Sequence, residues 1–312
     1  MENLNDNGQL TKKFEKSGIV LVNKPVGISS NAVVNIVKRV LNAKKCGHLG
    51  TLDLEGEGLL PVTVNNATKL FDFFLNKDKT YETVFVFGFE TDTLDLAGTV
   101  IKEKECDIKK EDVEKTIIEM IGKYSQMPPL YSAKKINGQT AYKVARRGEV
   151  VELRPKEIEI YDFKLIEQLS KNTFRFEISC SSGTYIRSVC RDLAERLSTY
   201  GSMQCILRTR CGGFYLKDAY HLEEIKSGKF EVSACEDLFA FEKIYLSSIQ
   251  TEKLLNGQFL KLEKVDGEYR IFSDDKFLGL GKVDGGLLKL TTRLLWYLRK
   301  CKGNCFLDWL KL

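Results

Sequence analysis

The stretch GHLGTLDLEGEGLLPV, residues 47–62, decides how the rest of this chain is interpreted. It contains His48, one of only two histidines in the chain, and four glycines around Asp53, and it ends in an apolar run. Glycines favour tight turns and allow another molecule to approach the backbone closely. The stretch therefore predicts a loop that presents Asp53 and leads into a strand, although an Asx turn is the commoner role of a single aspartate in such a loop.

Length and composition predict a globular protein of two domains. The 312 residues exceed the usual size of one domain, and 43% hydrophobic with 29% charged residues is ordinary for a folded chain. The polar beginning lacks the apolar core of a secretory signal, and no apolar run is long enough to span a bilayer. Nine scattered cysteines do not suggest a disulfide framework. We therefore expect a cytoplasmic protein.

Hydrophobic periodicity predicts a mixture of strands and helices. Apolar residues recur with a period of two in 81–89 and 174–180, and with helical spacing in 30–41, 108–121 and 186–197, while the apolar run IVLVN (19–23) predicts a short strand before a turn. Ser29 or Ser30 caps the first helix, whose basic end at Lys44-Lys45 places the Asp53 loop directly after it. The mixture predicts an α+β fold, and short strands between Gly and Asp turns predict a small β-domain from about residue 247.

The positive charge of the chain is concentrated in residues 128–156. Seven of the 48 Lys and Arg residues lie there against two glutamates, a surplus equal to the net charge of +5 for the whole chain. Tyr131 and Tyr142 interleave with these basic residues, a combination that suits phosphates and unstacked bases. A solvated surface loop accounts for the same pattern, so composition alone leaves both interpretations open.

Several segments occur in a fixed order along the chain. They are NKPVGISS (23–30), the stretch 47–62 with ATKL (67–70), DKTYE (78–82), QMPPLYSAKKINGQTAY (126–142) and CSSGTYIRSVCRDLA (180–194). Together they resemble the signature segments of the TruB family, the bacterial tRNA pseudouridine-55 synthases. The resemblance is close over about residues 17–215 and looser over the C-terminal β-rich part.

The resemblance implies an α+β pseudouridine-synthase catalytic domain with a central mixed, mainly antiparallel sheet, followed by a small β-rich PUA-like domain. It divides the chain into a polar N-terminal segment (1–16), the catalytic domain (17–245) with a basic RNA-gripping insertion (128–156), the PUA-like RNA-binding domain (247–293) and a C-terminal tail without an assigned role (294–312).

The resemblance also implies that Asp53 is the nucleophile of uridine isomerisation, in which the base is cut from its ribose, rotated and rejoined through carbon 5. Covalent attack by a carboxylate divides one difficult step into two easier ones. Burial alone raises the pKa of a carboxyl group, so we expect a fixed cation beside Asp53, and Arg187 stands at the family's position for it. Tyr81 matches the tyrosine that stacks on the flipped base. Taken singly, Tyr81 would be a core residue and Arg187 a solvated one.

Further substrate contacts are implied at positions that match the family's motifs. They are His48, Tyr185, Leu207 and Lys24 in the catalytic domain, and Lys134, Lys135, Arg146 and Arg147 in the insertion. The implied partner is the T-arm and T-loop of tRNA, bound by a monomer that needs no metal, no organic cofactor and no membrane.

The Asp53 loop departs from the family's pattern. Leu54 stands where proline usually follows the aspartate, and Glu55 and Glu57 replace small uncharged residues. Carboxylates near Asp53 would oppose its ionisation and repel phosphate, so we expect both glutamates on the outer face of the loop.

Two alternatives remain beside a tRNA pseudouridine synthase. One is a tRNA-binding chaperone without catalysis, and the other is a synthase of the same chemistry that acts on another RNA. Pure binding does not need the set Asp53, Tyr81 and Arg187, which favours the enzyme.

Overall fold

A computed structural model describes residues 14–75, 77–131, 135–136, 139–140 and 153–294. The helices in these ranges are α1 (Ser30–Val40), α2 (Phe71–Leu75), α3 (Lys110–Glu119), α4 (Ile186–Arg196), α5 (Leu222–Lys226) and α6 (Ser248–Leu255). Short 3₁₀ turns lie at Asn65–Leu70, Leu216–Asp218 and Cys235–Leu238. None of the described helices is long and apolar enough to cross a bilayer.

An eleven-stranded sheet forms the centre of the larger part of the fold. Its strands are β1 (Gly18–Lys24), β2 (Cys46–His48), β3 (Glu57–Val64), β4 (Lys79–Phe87), β7 (Gly122–Gln126), β10 (Lys156–Ser170), β11 (Thr173–Cys180), β12 (Gly201–Cys211), β13 (Phe214–Tyr215), β14 (Tyr220–His221) and β15 (Ser233–Ala234). The main path runs β14-β1-β3-β12-β4-β11-β10-β7, and only the β1–β14 and β3–β12 pairs are parallel. The predicted α+β class with a mixed, mainly antiparallel sheet is therefore confirmed.

A second sheet of five strands lies near the C-terminus. Its strands are β16 (Lys243–Leu246), β17 (Leu260–Lys261), β18 (Gly267–Ser273), β19 (Lys276–Asp284) and β20 (Leu287–Arg293), in the order β16-β18-β19-β20-β17. Its first strand begins at residue 243, before the expected start near 247, because β16 pairs in parallel with β18 and forms one edge of the sheet. Two small hairpins complete the described strands: β5 (Phe89–Thr91) with β6 (Val100–Glu103), and β8 (Lys135–Ile136) with β9 (Gln139–Thr140).

A shared cluster of aromatic and aliphatic side chains connects the two sheets. Phe74 of α2 and Phe239 pack in one core cluster with Leu280 of β19 and Leu294. The ring of Phe73 meets the ring of Phe239 edge-on at a centroid distance of 5.1 Å. Edge-on aromatic pairs add to the stabilisation that comes from burying apolar area. The C-terminal sheet is thus held against the larger part of the fold by a shared apolar core.

The first helix ends earlier than its sequence pattern predicts. Ser29 is its N-cap and accepts a hydrogen bond from the backbone N–H of Ala32, as expected. The helix stops at Val40, however, because Asn42 adopts a left-handed conformation with φ of 47°. The strand β2 then pairs antiparallel with β3. The expectation that the Asp53 loop follows the helix directly is therefore wrong, since a strand intervenes.

The loop that carries Asp53, residues 49–56, joins two paired strands. It leaves β2 at His48 and enters β3 at Glu57. On its other side β3 pairs with β12, and Arg208 lies opposite Gly58 in that pair. We call residues 49–56 the Asp53 loop. Its position is fixed by the central sheet at both ends.

At Gly58 the backbone of β3 lies so close to β12 that a side chain does not fit, and replacing Gly58 with alanine tests this geometry. Its φ is +99°, and a Cβ there would lie 2.5 Å from the carbonyl oxygen of Arg208. We expect Gly58→Ala to lower the free energy of unfolding by about 3 kcal/mol, measured in urea.

Gly47→Ala on the adjacent β2 is the matched control for this substitution. A Cβ at Gly47 would meet its nearest neighbour, Thr63 Oγ1, at an ordinary 3.5 Å. We expect it to change the unfolding free energy by less than about 1 kcal/mol. Equal stabilities of the two variants would contradict the close approach at Gly58.

Candidate active site

The Asp53 loop is fastened to its surroundings by side chains that reach its backbone. The buried hydroxyl of Ser30 donates to the Leu52 carbonyl at 2.8 Å and accepts from the Leu52 N–H at 2.9 Å. Lys24, which is fully buried, donates to the carbonyls of Ile28 at 2.8 Å and Leu54 at 3.4 Å. Because buried backbone groups must be paired, these contacts fix the course of the loop on both sides of Asp53.

Asp53 and Arg187 form the central pair of the site. Arg187 Nη2 donates to Asp53 Oδ2 at 2.7 Å. The two side chains differ sharply in exposure: 52% of the Asp53 side chain is accessible to solvent, against 7% for Arg187. A charge-assisted hydrogen bond at this distance is among the stronger ones in proteins. The Asp53 carboxylate is therefore accessible to solvent, while the buried Arg187 guanidinium fixes its orientation.

Arg187 is itself held by three further oxygen atoms. Its Nη1 donates to the carbonyl of Thr93 at 2.9 Å and lies 3.6 Å from Asp95 Oδ2, and its Nη2 donates to the carbonyl of Tyr131 at 3.1 Å. A guanidinium offers its donors in a rigid plane, so these contacts set its orientation. The interpretation of Arg187 as a solvated helix residue is excluded by its burial.

The start of α4, which carries Arg187, is positioned by a side chain from β7. Tyr185 is the N-cap of α4, and its own side chain makes no capping hydrogen bond. The amide of Gln126, only 1% exposed, supplies the contacts instead. Its Oε1 accepts from the Tyr185 N–H at 2.9 Å, and its Nε2 lies 3.3 Å from the Tyr185 carbonyl oxygen. The side-chain amide of Gln126 therefore pairs with the backbone N–H and C=O of Tyr185, as a neighbouring strand would, and fixes the start of α4.

Tyr81 lies in the main core cluster, 7% exposed, together with Leu52 of the Asp53 loop. Burial raises the pKa of its phenol well above the usual value, although a hydrogen bond with Arg208 opposes that shift. The hydroxyl therefore stays protonated at any physiological pH. Tyr81 and Leu52, the residue that precedes Asp53, therefore belong to the same apolar core.

The pKa values of His48 and Lys24, which flank the Asp53 loop, are both shifted by burial and by nearby charges. Burial, followed by the charge of Arg208, lowers the pKa of His48 below its ordinary 6.5. Burial also lowers the pKa of Lys24, while the charge of Asp53 is the largest of the effects that oppose this shift. Leu207 is half-buried on β12, and its Cδ1 would lie 2.8 Å from a Cβ at Gly58.

The unusual residues that follow Asp53 leave its carboxylate accessible. Leu54 is 51% exposed, and its carbonyl accepts from the backbone N–H of Gly27 at 2.9 Å. Glu55 is exposed and Glu57 half-buried, and within the described ranges neither has a basic partner within 4.0 Å. Glu55 therefore lies on the outer face of the loop, as expected. The same expectation is wrong for Glu57, which is half-buried because it begins β3.

The basic insertion falls largely outside the described residues. Lys134, Arg146 and Arg147 lie in the ranges that the structure does not describe, and Lys135 is described only as part of the backbone of β8. Their assignment as substrate contacts stays a prediction. The tail from residue 295 also lies outside the described ranges.

Sequence patterns did not reveal three residues that hold the site together: Ser30, Gln126 and Arg208. The sequence pattern indicates Ser30 only as a possible helix cap, a role that its neighbour Ser29 fills. Gln126 stands in the quoted segment 126–142 but attracted no assignment. Arg208 follows Leu207 directly and is 1% exposed, a burial that an alternating pattern with Arg210 does not predict.

The comparisons with protein families agree over both parts of the chain. The family model described as "TruB family pseudouridylate synthase (N terminal domain)" matches residues 38–186. A second family model, "Pseudouridine synthase II TruB, C-terminal", matches residues 243–295.

Individual relatives match over nearly their whole length. A tRNA pseudouridine synthase B of Caldanaerobacter subterraneus subsp. tengcongensis is 35% identical over 86% of this chain and 95% of its own. One of Francisella philomiragia is 36% identical over 88% and 94%. Among solved structures, an H/ACA RNP bound to a substrate RNA containing 2'-deoxyuridine covers 89% of this chain, and the match covers 85% of its own chain, at 19% identity with a TM-score of 0.65. This last likeness concerns the fold.

The lowered pKa of His48 predicts a pH dependence of stability. The unfolded chain binds a proton at His48 near pH 6.5, whereas the folded protein binds it only at lower pH. The free energy of unfolding should therefore fall as the pH drops through about 6.5, and His48→Gln should remove that part of the fall. An NMR titration measures the pKa of His48 directly, because His221 gives the only other imidazole signal of the chain. A His48 signal that titrates above 6.5 would contradict its burial beside Arg208.

Proposed function

The chain belongs to the TruB family of pseudouridylate synthases, and we propose that it converts the uridine at position 55, in the T-loop of tRNA, to pseudouridine. The relatives that match it over nearly their full length carry the name tRNA pseudouridine synthase B. The reaction is an isomerisation within one nucleotide of the RNA. The family relationship supports the chemistry, and the geometry around Asp53 supports the assignment of roles.

The observation that carries the proposal is the pair of an open carboxylate and a buried guanidinium. A nucleophile must reach its substrate, and half of the Asp53 side chain is exposed. It must also keep its orientation, and the 2.7 Å bond to a buried Arg187 supplies that. A carboxylate that served only as a structural ion-pair partner would gain nothing from a loop fastened on both sides. We therefore assign Asp53 as the nucleophile and Arg187 as its ion-pair partner.

The isomerisation needs no atoms beyond those of the uridine and its solvent. The bond between ribose C1' and N1 of the base breaks, a bond between C1' and C5 forms, C5 releases its hydrogen as a proton, and N1 takes up a proton. The bond that Asp53 forms to the substrate is broken later, which regenerates the carboxylate. No redox partner and no external energy enter this balance, so the proposal names no cofactor.

A uridine stacked in an RNA loop cannot reach Asp53, so the base must be flipped out of the stack. The buried ring of Tyr81 then offers a flat surface to the base once it has entered beside the carboxylate. His48, Tyr185 and Leu207 are proposed as the surrounding contacts to the RNA. The expectation that Lys24 contacts the RNA is corrected, because Lys24 is fully buried and its ammonium group holds the carbonyls of Ile28 and Leu54. Because Asp53 is half-exposed in the free protein, the RNA itself is expected to cover the carboxylate and exclude water.

The remaining parts of the chain are assigned to binding. We propose that the basic insertion, 128–156 within a catalytic domain of 17–245, holds the T-arm through its phosphates, with Lys134, Lys135, Arg146 and Arg147 among its contacts. The C-terminal β-rich part, expected at 247–293 and beginning at residue 243 in the structure, acts as a PUA-like RNA-binding domain. The protein works as a monomer in the cytoplasm.

Replacing the nucleophile separates this proposal from a binding chaperone. We expect Asp53→Asn to lower the release of tritium from tRNA labelled at uridine C5 by at least about 10³-fold. Wild type should release one tritium for each tRNA. Asparagine has the same size and can still accept from Arg187, so the Kd for tRNA should change by less than about 3-fold.

Glu55→Gln is the matched control in the same loop, and it should release tritium at the rate of wild type. A wild-type protein that binds tRNA tightly but releases no tritium would be a chaperone. Release from another RNA but not from a tRNA transcript would favour the second alternative.

Salt dependence tests the proposed role of the insertion. Each phosphate contact contributes about −0.7 to −0.9 to the slope of log K against log salt concentration. Replacing Arg146 and Arg147 together with glutamine should make the slope shallower by about 1.5 and leave the rate at saturating tRNA unchanged. Replacing Lys109 and Lys110 at the start of α3 with glutamine is the control and should leave the slope as it is. An unchanged slope in the insertion variant would make that segment a solvated loop.

A further inference from the structure

Arg208 joins the two ends of the Asp53 loop from below. It lies on β12 and is 1% exposed, among the largest fully buried side chains of the described ranges. Its Nη2 donates to the carbonyl of Gly50 at 3.1 Å, its Nη1 to Thr51 at 3.4 Å and its Nε to Leu59 at 2.8 Å. Gly50 and Thr51 begin the loop, and Leu59 lies in β3 just after its end. One rigid guanidinium therefore spans the base of the loop.

A β-bulge in β12 aims this side chain at the loop. Arg208 lies opposite Tyr81 of β4, and Arg210 lies opposite Thr80, so one extra residue of β12 sits between the two pairs. Without the bulge, Arg208 and Arg210 would share a face of the strand. With it, Arg210 turns away and pairs with Asp78, while Arg208 faces the loop.

The charge of Arg208 is compensated in an unusual way. Within the described part of the chain no carboxylate lies within 4.0 Å of its guanidinium, which is satisfied by three main-chain carbonyls and the hydroxyl of Tyr81. Burying a charge without a countercharge is costly, so stability alone is a weak reason to place an arginine there. The contacts instead connect the Asp53 loop to Tyr81, the two parts of the site that must meet one base.

We propose that Arg208 is a positioning residue for the isomerisation. By bonding to backbone carbonyls at both ends of the Asp53 loop, it holds the Asp53 carboxylate against Arg187 and at a fixed position relative to Tyr81. This inference rests on the proposed function for its rate effect. Arg208 does not reach the substrate itself, because the loop lies between them. Its loss should therefore lower the rate of the reaction on bound tRNA and not the affinity for tRNA.

Arg208→Lys is the informative variant, because lysine keeps the positive charge but cannot bond to the carbonyls at both ends of the loop at once. A single ammonium nitrogen cannot hold carbonyls at both ends of the loop in the geometry of a planar fork. We expect the single-turnover rate at saturating tRNA to fall about 10²-fold, as for a misplacement of about 1 Å. The Kd for tRNA should stay within about 3-fold of wild type. Hydrogen exchange of the amides in residues 50–57 should become faster.

Arg270→Lys is the matched control for these measurements. Arg270 lies on β18 of the C-terminal sheet and donates in the same manner to the carbonyls of Phe241 at 2.7 Å and Glu236 at 3.0 Å. It should lose thermal stability without a change in single-turnover rate or in exchange of the Asp53 loop. A wild-type rate in Arg208→Lys would overturn the proposal, and so would an equal loss of rate in both variants.

Two further results keep this inference separate from the proposed function and from misfolding. If wild type releases no tritium from any tRNA, the function is wrong, and faster exchange confined to the Asp53 loop in Arg208→Lys still decides whether Arg208 holds it. If Arg208→Lys does not fold, the Nε–H signal of Arg208 in wild type decides the point. Slow exchange of that proton with solvent supports the hydrogen bond from Arg208 Nε to the Leu59 carbonyl, on which the proposal rests, and rapid exchange overturns the proposal.

Discussion

The hydrogen bond between Asp53 and Arg187 is the constraint on which the site depends, because it joins residues 134 positions apart in the chain. Each partner is placed by a different part of the fold. Ser30 and Lys24 fix the backbone around Asp53, and Gln126 fixes the start of the helix that carries Arg187. A displacement of about 1 Å at any of these supports would break a 2.7 Å contact. Much of the catalytic domain thus serves as a frame for one ion pair.

The distribution of charge explains how an acidic loop can face a polyanion. Asp53 and Glu55 point outward, whereas Lys24, Arg187 and Arg208 are 0%, 6% and 1% exposed directly beneath or beside them. These cations bond mostly to backbone carbonyls and therefore retain most of their charge for longer-range effects. The buried positive charge offsets the carboxylates of the loop, so the departures at Glu55 and Glu57 need not repel RNA.

Most of the architecture was accessible from the sequence, because local periodicity determines where strands and helices form. Alternation identified β4 and β11, and the order of the motifs identified the family and paired Asp53 with Arg187. The failures arose where tertiary contacts override local preference. A left-handed Asn42 ends α1 early, Gly88 with φ of +112° separates β4 from Phe89, and a bulge redirects Arg208. Asn and Gly favour a left-handed conformation, but residue type alone does not show at which Asn or Gly the chain adopts it, nor where a bulge forms.

The same Nη2 nitrogen of Arg187 donates to Asp53 and to the carbonyl of Tyr131, near the beginning of the basic insertion. Both hydrogens of this nitrogen have an acceptor, so a shift of Tyr131 changes the contacts of the same planar group that holds the Asp53 carboxylate. In the proposed function, the segment that binds the RNA and the carboxylate that reacts with it are therefore coupled through one side chain, Arg187.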